Sequence, residues 1–280
     1  MPYSKLYGYH LSMGSLTIFS VATDRYLEHW INLVRSSSGF IENNLSVQWI
    51  LFTNREGEIP LDIKLNMKDR LLIKPVESLI WPMPTLLRYK FLSNVSDEIT
   101  GKIILYLDAD MLFANSVLLS DLTDSIGNNE ISLVKHPGYF RPKGISRIRF
   151  YTFNPIFILK DIKLRVMNGS LGTWEKKTKS CAYVPRNQRK DYVCGGAWFG
   201  DKDAIIKMCK LLSERVEIDL SKGIIAKFHD ESHLNWYSVT YNCSISDPSF
   251  CFEPTYPQLF SIKPKIIAVD KAIDLRLYRK

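Results

Sequence analysis

The sequence predicts an α/β fold around a largely parallel sheet, and three observations carry that expectation. β-prone runs alternate with segments of helical spacing, several of the runs are almost continuously apolar, and a pair of aspartates follows directly on the clearest of them. Ser15 to Ala22 (SLTIFSVA) is a short strand. Tyr26 to Val34 follows as a helix, with Tyr26, Leu27, Trp30, Ile31 and Val34 at helical spacing. Val47 to Thr53 (VQWILFT) suits a strand buried on both faces, and Leu71 to Val76 is a third strand. Trp81-Pro-Met-Pro-Thr introduces a helix running from Pro84 to Val95, with prolines in a first turn whose amides have no helical partner anyway. Lys102 to Leu107 (KIILYL) is the clearest central strand, and it ends in Asp108-Ala109-Asp110. Ligands of open α/β sheets sit outside the carboxyl ends of strands, so acids at that place serve chemistry rather than packing.

Beyond residue 130 the pattern turns irregular. A strand at Ile131 to Lys135 precedes a basic stretch through Arg149 and a polar segment from Thr173 to Asp191. Tyr192 to Gly200 (YVCGGAWFG) has the composition of a strand with a glycine break, and Lys202 to Val216 and Asp230 to Thr240 are helices. Neither a repeat nor a Gly/Ser linker interrupts the chain, so one domain is expected over residues 1–280.

With 46% hydrophobic and 24% charged residues, the composition is that of a globular protein and excludes disorder. The net charge of +8 admits an anionic partner, but the basic residues concentrate at Arg141 to Arg149, Lys176 to Lys190 and Lys263 to Lys280 without an RNP-type or zinc-finger motif. Nucleic acid is therefore not the expected partner. Met1 to Gly14 has neither the apolar core of a signal peptide nor a run of spanning length. A soluble, cytoplasmic protein is expected, with room for peripheral membrane association. Cys181, Cys194, Cys209, Cys243 and Cys251 form an odd set without CxxC spacing, so buried free thiols are expected rather than disulfides or zinc.

Three polar clusters are candidates for chemistry. Asp108 and Asp110 offer two hard oxygen donors, which suits a divalent cation bound to a diphosphate. Asp201-Lys202-Asp203 repeats the spacing but opens a helix, where Asp201 suits the N-cap and Asp203 the first turn. His229-Asp-Glu-Ser-His233 has two histidines four apart, yet its glutamate stands in the wrong place for a zinc-hydrolase helix, so it is either a capped helix start or a polar site. Cys194-Gly195-Gly196 marks either a bulge or a close ligand approach.

Taken together, these segments resemble glycosyltransferase family six, which includes the blood-group A and B transferases and the α-1,3-galactosyltransferases. The likeness runs from Thr17 to Lys271. It rests on Thr17-Ile-Phe-Ser-Val with Arg25-Tyr-Leu-Glu-His29, Tyr106-Leu-Asp-Ala-Asp-Met111, His136-Pro-Gly138, Cys194-Gly-Gly196 and His229-Asp-Glu-Ser-His-Leu-Asn235. The resemblance implies a GT-A fold, a Rossmann-like mixed sheet flanked by helices, with a nucleotide-binding half over 15–125 and an acceptor-binding half with the tail over 126–280. It implies a retaining enzyme that moves N-acetylgalactosamine or galactose from a UDP-sugar donor to a galactoside acceptor with Mn²⁺, in an α-1,3 linkage. On the donor side, Phe19, Val21 and Tyr26 would line the uridine site, Trp81 and Arg88 the donor, and Ala109 the ribose. Asp108 and Asp110 would hold the metal and UDP, and Lys271, with Arg276 or Arg279, would meet the diphosphate. Cys194, Gly195, Gly196 and Asp230 complete the donor set. On the acceptor side stand His136, Thr173, Phe228 in place of the family's tryptophan, and Glu253 if one residue is inserted. Glu231 would be the catalytic carboxylate. Gly196, lacking a side chain, favours UDP-N-acetylgalactosamine over UDP-galactose. Two departures are a longer stretch between Phe19 and Tyr26 and an altered tail spacing. Microbial members of the family often carry Asn-x-Asn where this chain has Asp-x-Asp, but the lack of the membrane anchor and stem of the animal enzymes implies a microbial or viral member.

Overall fold

The computed structural model describes residues 14–41, 45–68 and 70–269. In chain order the strands are β1 (Ser15–Val21), β2 (Ser46–Thr53), β3 (Leu71–Pro75), β4 (Ile103–Leu107), β5 (Met111–Phe113), β6 (Ile131–Lys135), β7 (Val193–Asp201), β8 (Ser244–Ser246) and β9 (Ile266–Ala268). A seven-stranded sheet takes the order β3-β2-β1-β4-β7-β6-β8, while β5 pairs with β9. Strands β1 to β4 run parallel, β7 is antiparallel to β4 and β6, and β8 is parallel to β6. This is the mixed, mainly parallel, GT-A-like sheet that the resemblance implies.

Alternation along β4 explains why it lies at the centre. Leu105 and Leu107 point into one core with Leu16, Ile18 and the helical residues Leu27 and Trp30, whereas Ile104 and Tyr106 point into the other with Phe19, Tyr89 and Leu212. A strand with apolar residues on both faces is stable only between two helical layers. Those layers come from α1 (Tyr26–Ser36) on one side and, on the other, α4 (Arg88–Asn94) and α8 (Lys202–Ser221). The remaining helices are α2 (Leu61–Asn66), α3 (Met83–Leu86), α5 (Leu119–Ile126), α6 (Gly144–Phe153), α7 (Ile156–Asn168) and α9 (His229–Thr240). Tyr106 stacks on its cross-strand partner Trp198 with centroids 4.6 Å apart and planes at 10°. Such a pair adds roughly 0.5–1.5 kcal/mol to the burial of the two rings.

Several local expectations change. The helix foreseen over 84–95 is two short helices, α3 and α4, meeting at Leu87. The basic stretch beyond Arg141 forms α6 and α7, which were not foreseen. The reason lies in α7, whose inward stripe carries the polar Asp161 and Asn168 while Ile156, Leu159 and Ile162 face outward, so apolar spacing does not mark a buried face. Asp201 stands at the N-cap of α8 but makes no capping hydrogen bond, and Asp203 lies in the first turn as expected. The five cysteines are free. Among the described residues no helix is long and apolar enough to cross a membrane.

Candidate active site

The end of β4 is joined to β7 by one more rung: the Asp108 amide donates to Gly196 O at 2.9 Å. That bond lays Asp-Ala-Asp against Cys-Gly-Gly. Helix α9 is fastened to the same strand by Asn235, whose side chain accepts from Val193 N at 2.9 Å and donates to Val193 O at 2.8 Å. A side-chain amide here substitutes for a neighbouring backbone, which fixes the first turn of α9 over the glycines. Glu231 Oε2 then accepts the Gly195 amide at 2.9 Å. His229, which opens the helix, has φ +43°, an uncommon conformation for a residue with a side chain.

Arg88 ties the three segments together. Its Nη1 lies 3.0 Å from Asp108 Oδ1, 3.2 Å from Asp230 Oδ2 and 3.0 Å from Gly195 O, and Nε donates to Thr85 O at 3.1 Å. The guanidinium is buried and rests 4.7 Å from the centroid of the Tyr106 ring, whose hydroxyl donates to Asp108 Oδ1 at 2.6 Å. Tyr89 OH donates to the Asp230 carbonyl at 3.1 Å. Asp230 is thus not a helix cap but half of a buried ion pair; the helix start is closed instead by Ser232 Oγ, which accepts from Phe228 N.

Asp108, Asp110, Asp230 and Glu231 share a cleft of about 970 Å³ with Arg88. With Asp24 the lining has five carboxylates against Arg25, Arg88 and Lys227, so negative charge is in excess. Burial pushes Asp230 up to about 7, with Arg88 opposing the shift and Asp108 adding to it. Burial likewise pushes Glu231 up to about 7, and the Gly195 amide and Tyr192 hydroxyl only partly offset it. A cation relieves the same excess without a proton. Asp108 and Asp110 fit a hard divalent ion on this ground: they supply two carboxylates, and a diphosphate and water would complete the shell. Among the described residues no group of three or more His, Cys, Asp or Glu side chains forms a metal cage.

The cleft brings together Val21, Tyr26, Trp81, Arg88 and the Asp108-Ala109-Asp110 run with Gly195, Gly196, Phe228, Asp230 and Glu231. Two predicted donor residues stand behind its wall. Phe19 is fully buried edge-on to Phe52, and Cys194 is buried in the core on the other face of the sheet. Their side chains shape the wall rather than line it. At Gly196 a Cβ would meet Met111 Cε at 2.7 Å and Asp108 Oδ2 at 3.2 Å. Met111 Cε is the end of a flexible side chain, and Gly196 lines the cleft, so the missing side chain leaves space that its neighbours and a ligand can share. Lys271, Arg276 and Arg279 lie outside the described residues; Val269, the last described, donates its amide to Asp110 O at 2.9 Å.

The predicted acceptor residues are less unified. His136 Nδ1 accepts from Gly138 N at 3.0 Å, which leaves the ring proton on Nε2, and burial lowers its pKa to about 4, so it is neutral. Its ring is 4.9 Å from Tyr139, whose hydroxyl bonds Thr173, and Tyr139 meets Tyr192 edge-on at 5.2 Å. Tyr192 in turn adjoins Glu231, so an aromatic wall connects His136 and Thr173 to the cleft. Glu253 is engaged in a local turn, accepting from Thr255 Oγ1 at 3.1 Å. His233 belongs to neither side: it is fully buried with Nε2 3.6 Å from Asp219 Oδ2, and burial lowers its pKa to about 4. His229 instead lines the cleft, edge-on to Trp81 at 5.1 Å, so the two histidines do not converge on a metal.

Sequence reasoning missed the polar cleft residues Thr23, Asp24, Arg25, Thr85, Lys227 and His229, with Leu79 and Pro84. Lys227 and Arg25 are the cations of its lining besides Arg88, and nothing in the spacing of a surface-type lysine marks it out.

Comparison with known proteins agrees with this geometry. Residues 166–275 match the model of Glycosyltransferase family 6. The chain is 27% identical to Histo-blood group ABO system transferase 1 of Rattus norvegicus over 75% of its own length and 51% of that protein. It is 25% identical to the O-antigen biosynthesis glycosyltransferase WbnI of Escherichia coli over 79% of the chain and 81% of that protein. With Globoside alpha-1,3-N-acetylgalactosaminyltransferase 1 of Canis lupus familiaris the identity is 26% over 94% of the chain and 67% of that protein. The chain thus spans about half the length of the two rat relatives it matches.

Proposed function

We propose that the chain is a member of glycosyltransferase family 6, on the match over residues 166–275 and the likeness to the relatives above, and that it moves galactose or N-acetylgalactosamine from UDP to a galactoside acceptor, with retention and in an α-1,3 linkage. The observation that carries this reading is the shared cleft, in which Arg88 reaches both the Asp108 end and the Glu231 end of the site. Mn²⁺ held by Asp108 and Asp110 would supply Lewis-acid charge to the diphosphate as it leaves.

The chain's own residues do the rest. Arg25 and Lys227 bring positive charge to the cleft for the nucleotide, and Tyr26 offers a ring for the base. Arg88, at the wall of the cleft, holds Asp108 and Asp230 in place through Nη1. When the bond between the anomeric carbon and the diphosphate oxygen breaks, positive charge grows on the sugar, and the ionised Glu231 stabilises it. The acceptor hydroxyl forms the new bond to that carbon, and its proton passes to the departing diphosphate. His136, neutral with its proton on Nε2, orients the acceptor by donating to one of its oxygens.

The test is a mass-spectrometric screen of UDP-galactose, UDP-N-acetylgalactosamine and UDP-glucose against a panel of galactosides with Mn²⁺. Transfer of one of the first two, abolished by EDTA, is expected. No transfer from any UDP-sugar, or transfer undiminished by EDTA, rejects the proposal.

A further inference from the structure

The helical hairpin α6–α7 is built inside out. Toward the protein, α7 presents Phe157, Asp161, Leu164 and Asn168, and Asp161 is held there by Arg141 through bonds of 2.7 and 2.6 Å. Toward solvent, α6 presents Ile145 (80% exposed), Ile148 and Phe153 (74%), and α7 presents Ile156 (73%), Leu159 (72%) and Ile162. Val166 and Met167 extend the same stripe. Exposed apolar residues scattered singly need no explanation, but a stripe along two joined helices does.

The charge on this hairpin is of one sign. Lys143, Arg147, Arg149, Lys160, Lys163 and Arg165 lie on or beside it, and the only acid between residues 143 and 169 is the Asp161 already paired with Arg141. Among the described residues no carboxylate lies within ion-pair distance of Arg147, Arg149, Lys160 or Lys163. Against the hairpin lies a recess of about 460 Å³, whose lining includes Arg141, Lys143, Arg147, Arg165, Arg189 and Lys190.

We propose that α6 and α7 lie on an anionic phospholipid surface, with the outward apolar side chains among the acyl chains and the lysines and arginines at the headgroup phosphates. Apolar and basic residues on one exposed helical surface have this as their matching environment. A second copy of the chain fits poorly, because a twofold interface would set the same positive charges against each other. The chain's own undescribed ends fit poorly as well, since residues 1–13 carry one lysine and no acid and residues 270–280 carry four basic residues against two aspartates. The Arg141–Asp161 pair also joins the hairpin to the loop after His136, where Arg141 Nη1 donates to Gly138 O at 3.2 Å.

The experiment is co-sedimentation of the full chain with vesicles of phosphatidylglycerol and phosphatidylcholine, against vesicles of phosphatidylcholine alone. Binding to the anionic vesicles that falls with added salt is expected. Lys160→Gln with Lys163→Gln should weaken it about 25-fold, at about fivefold per charge. Leu159→Ser with Ile162→Ser should weaken it at least about tenfold, because apolar burial is then reduced. Both double variants should keep the wild-type circular dichroism and unfolding midpoint, since the replaced side chains are exposed. No binding to anionic vesicles, equal binding to neutral ones, preferential binding to duplex DNA, or a dimer in light scattering that the Leu159/Ile162 variant dissolves would each overturn the proposal. The readout is independent of catalysis: a chain that transfers no sugar yet binds anionic vesicles refutes the transferase reading alone.

Discussion

Replacing Glu231 by glutamine should make the protein more stable and nearly inactive. The glutamine carbonyl can still accept the Gly195 amide, now bonded to Glu231 at 2.9 Å, so the geometry of the first turn of α9 is kept. What disappears is a buried charge. Burial holds the Glu231 carboxyl at about 7 instead of 4.5. When folded and unfolded states are both ionised, that difference costs the folded state on the order of 3 kcal/mol. The sign follows from the raised value. Below pH 4.5 both states are protonated and there is no cost; the cost grows between pH 4.5 and 7 and is complete above it. Urea unfolding with EDTA present should therefore show Glu231→Gln and wild type alike at pH 4, with the variant ahead by 1–3 kcal/mol at pH 8, an order-of-magnitude range because neighbouring Asp230 readjusts. In the same preparation sugar transfer should fall by about 10²–10³, the usual loss when a charge facing the reacting centre is removed. A stability gap equal at both pH values would refute the account of burial, and unchanged transfer would refute the role assigned to the carboxylate.

Two further perturbations probe the frame of the site. Arg88→Met strips the shared partner from Asp108 and Asp230, so a loss of about 3–5 kcal/mol is expected at pH 8, shrinking at pH 5 where Asp230 takes up a proton; urea midpoints at the two pH values measure it. Gly195→Ala would set a Cβ 2.9 Å from Asp230 Oδ2 and 3.3 Å from Glu231 Cβ, so α9 must shift. A cost of about 1–3 kcal/mol and a transfer rate down by about 10² are expected, and a fully active alanine variant would show that the glycine is not needed for the approach of α9.

Much of this molecule is legible along the chain because its local signals agree with its global structure. After Lys102, the run IILYL carries a large apolar or aromatic side chain at every position, which only a strand covered on both faces tolerates, and its exit is where the acids stand. The motif resemblance points to Glu231, where spacing alone slightly favours a helix cap over a site. Asp230 was placed on the donor side without its partner: the ion pair with Arg88 spans segments 142 positions apart, and no periodicity reports on such a distance. Helix α7 escaped notice because its polar residues face the protein.

By itself, then, the order of residues determined the alternation of strands and helices, the position of Asp108 and Asp110 at a strand exit, and the family likeness. Tertiary structure alone decided that Arg88 is shared by two carboxylates, that Phe19 and Cys194 back the cleft instead of lining it, and that His233 is remote from His229's surroundings. The physical reason is that hydrophobic periodicity is a local property of the chain, whereas burial, and with it every shifted carboxyl and every ion pair of the site, depends on which distant segments exclude water together.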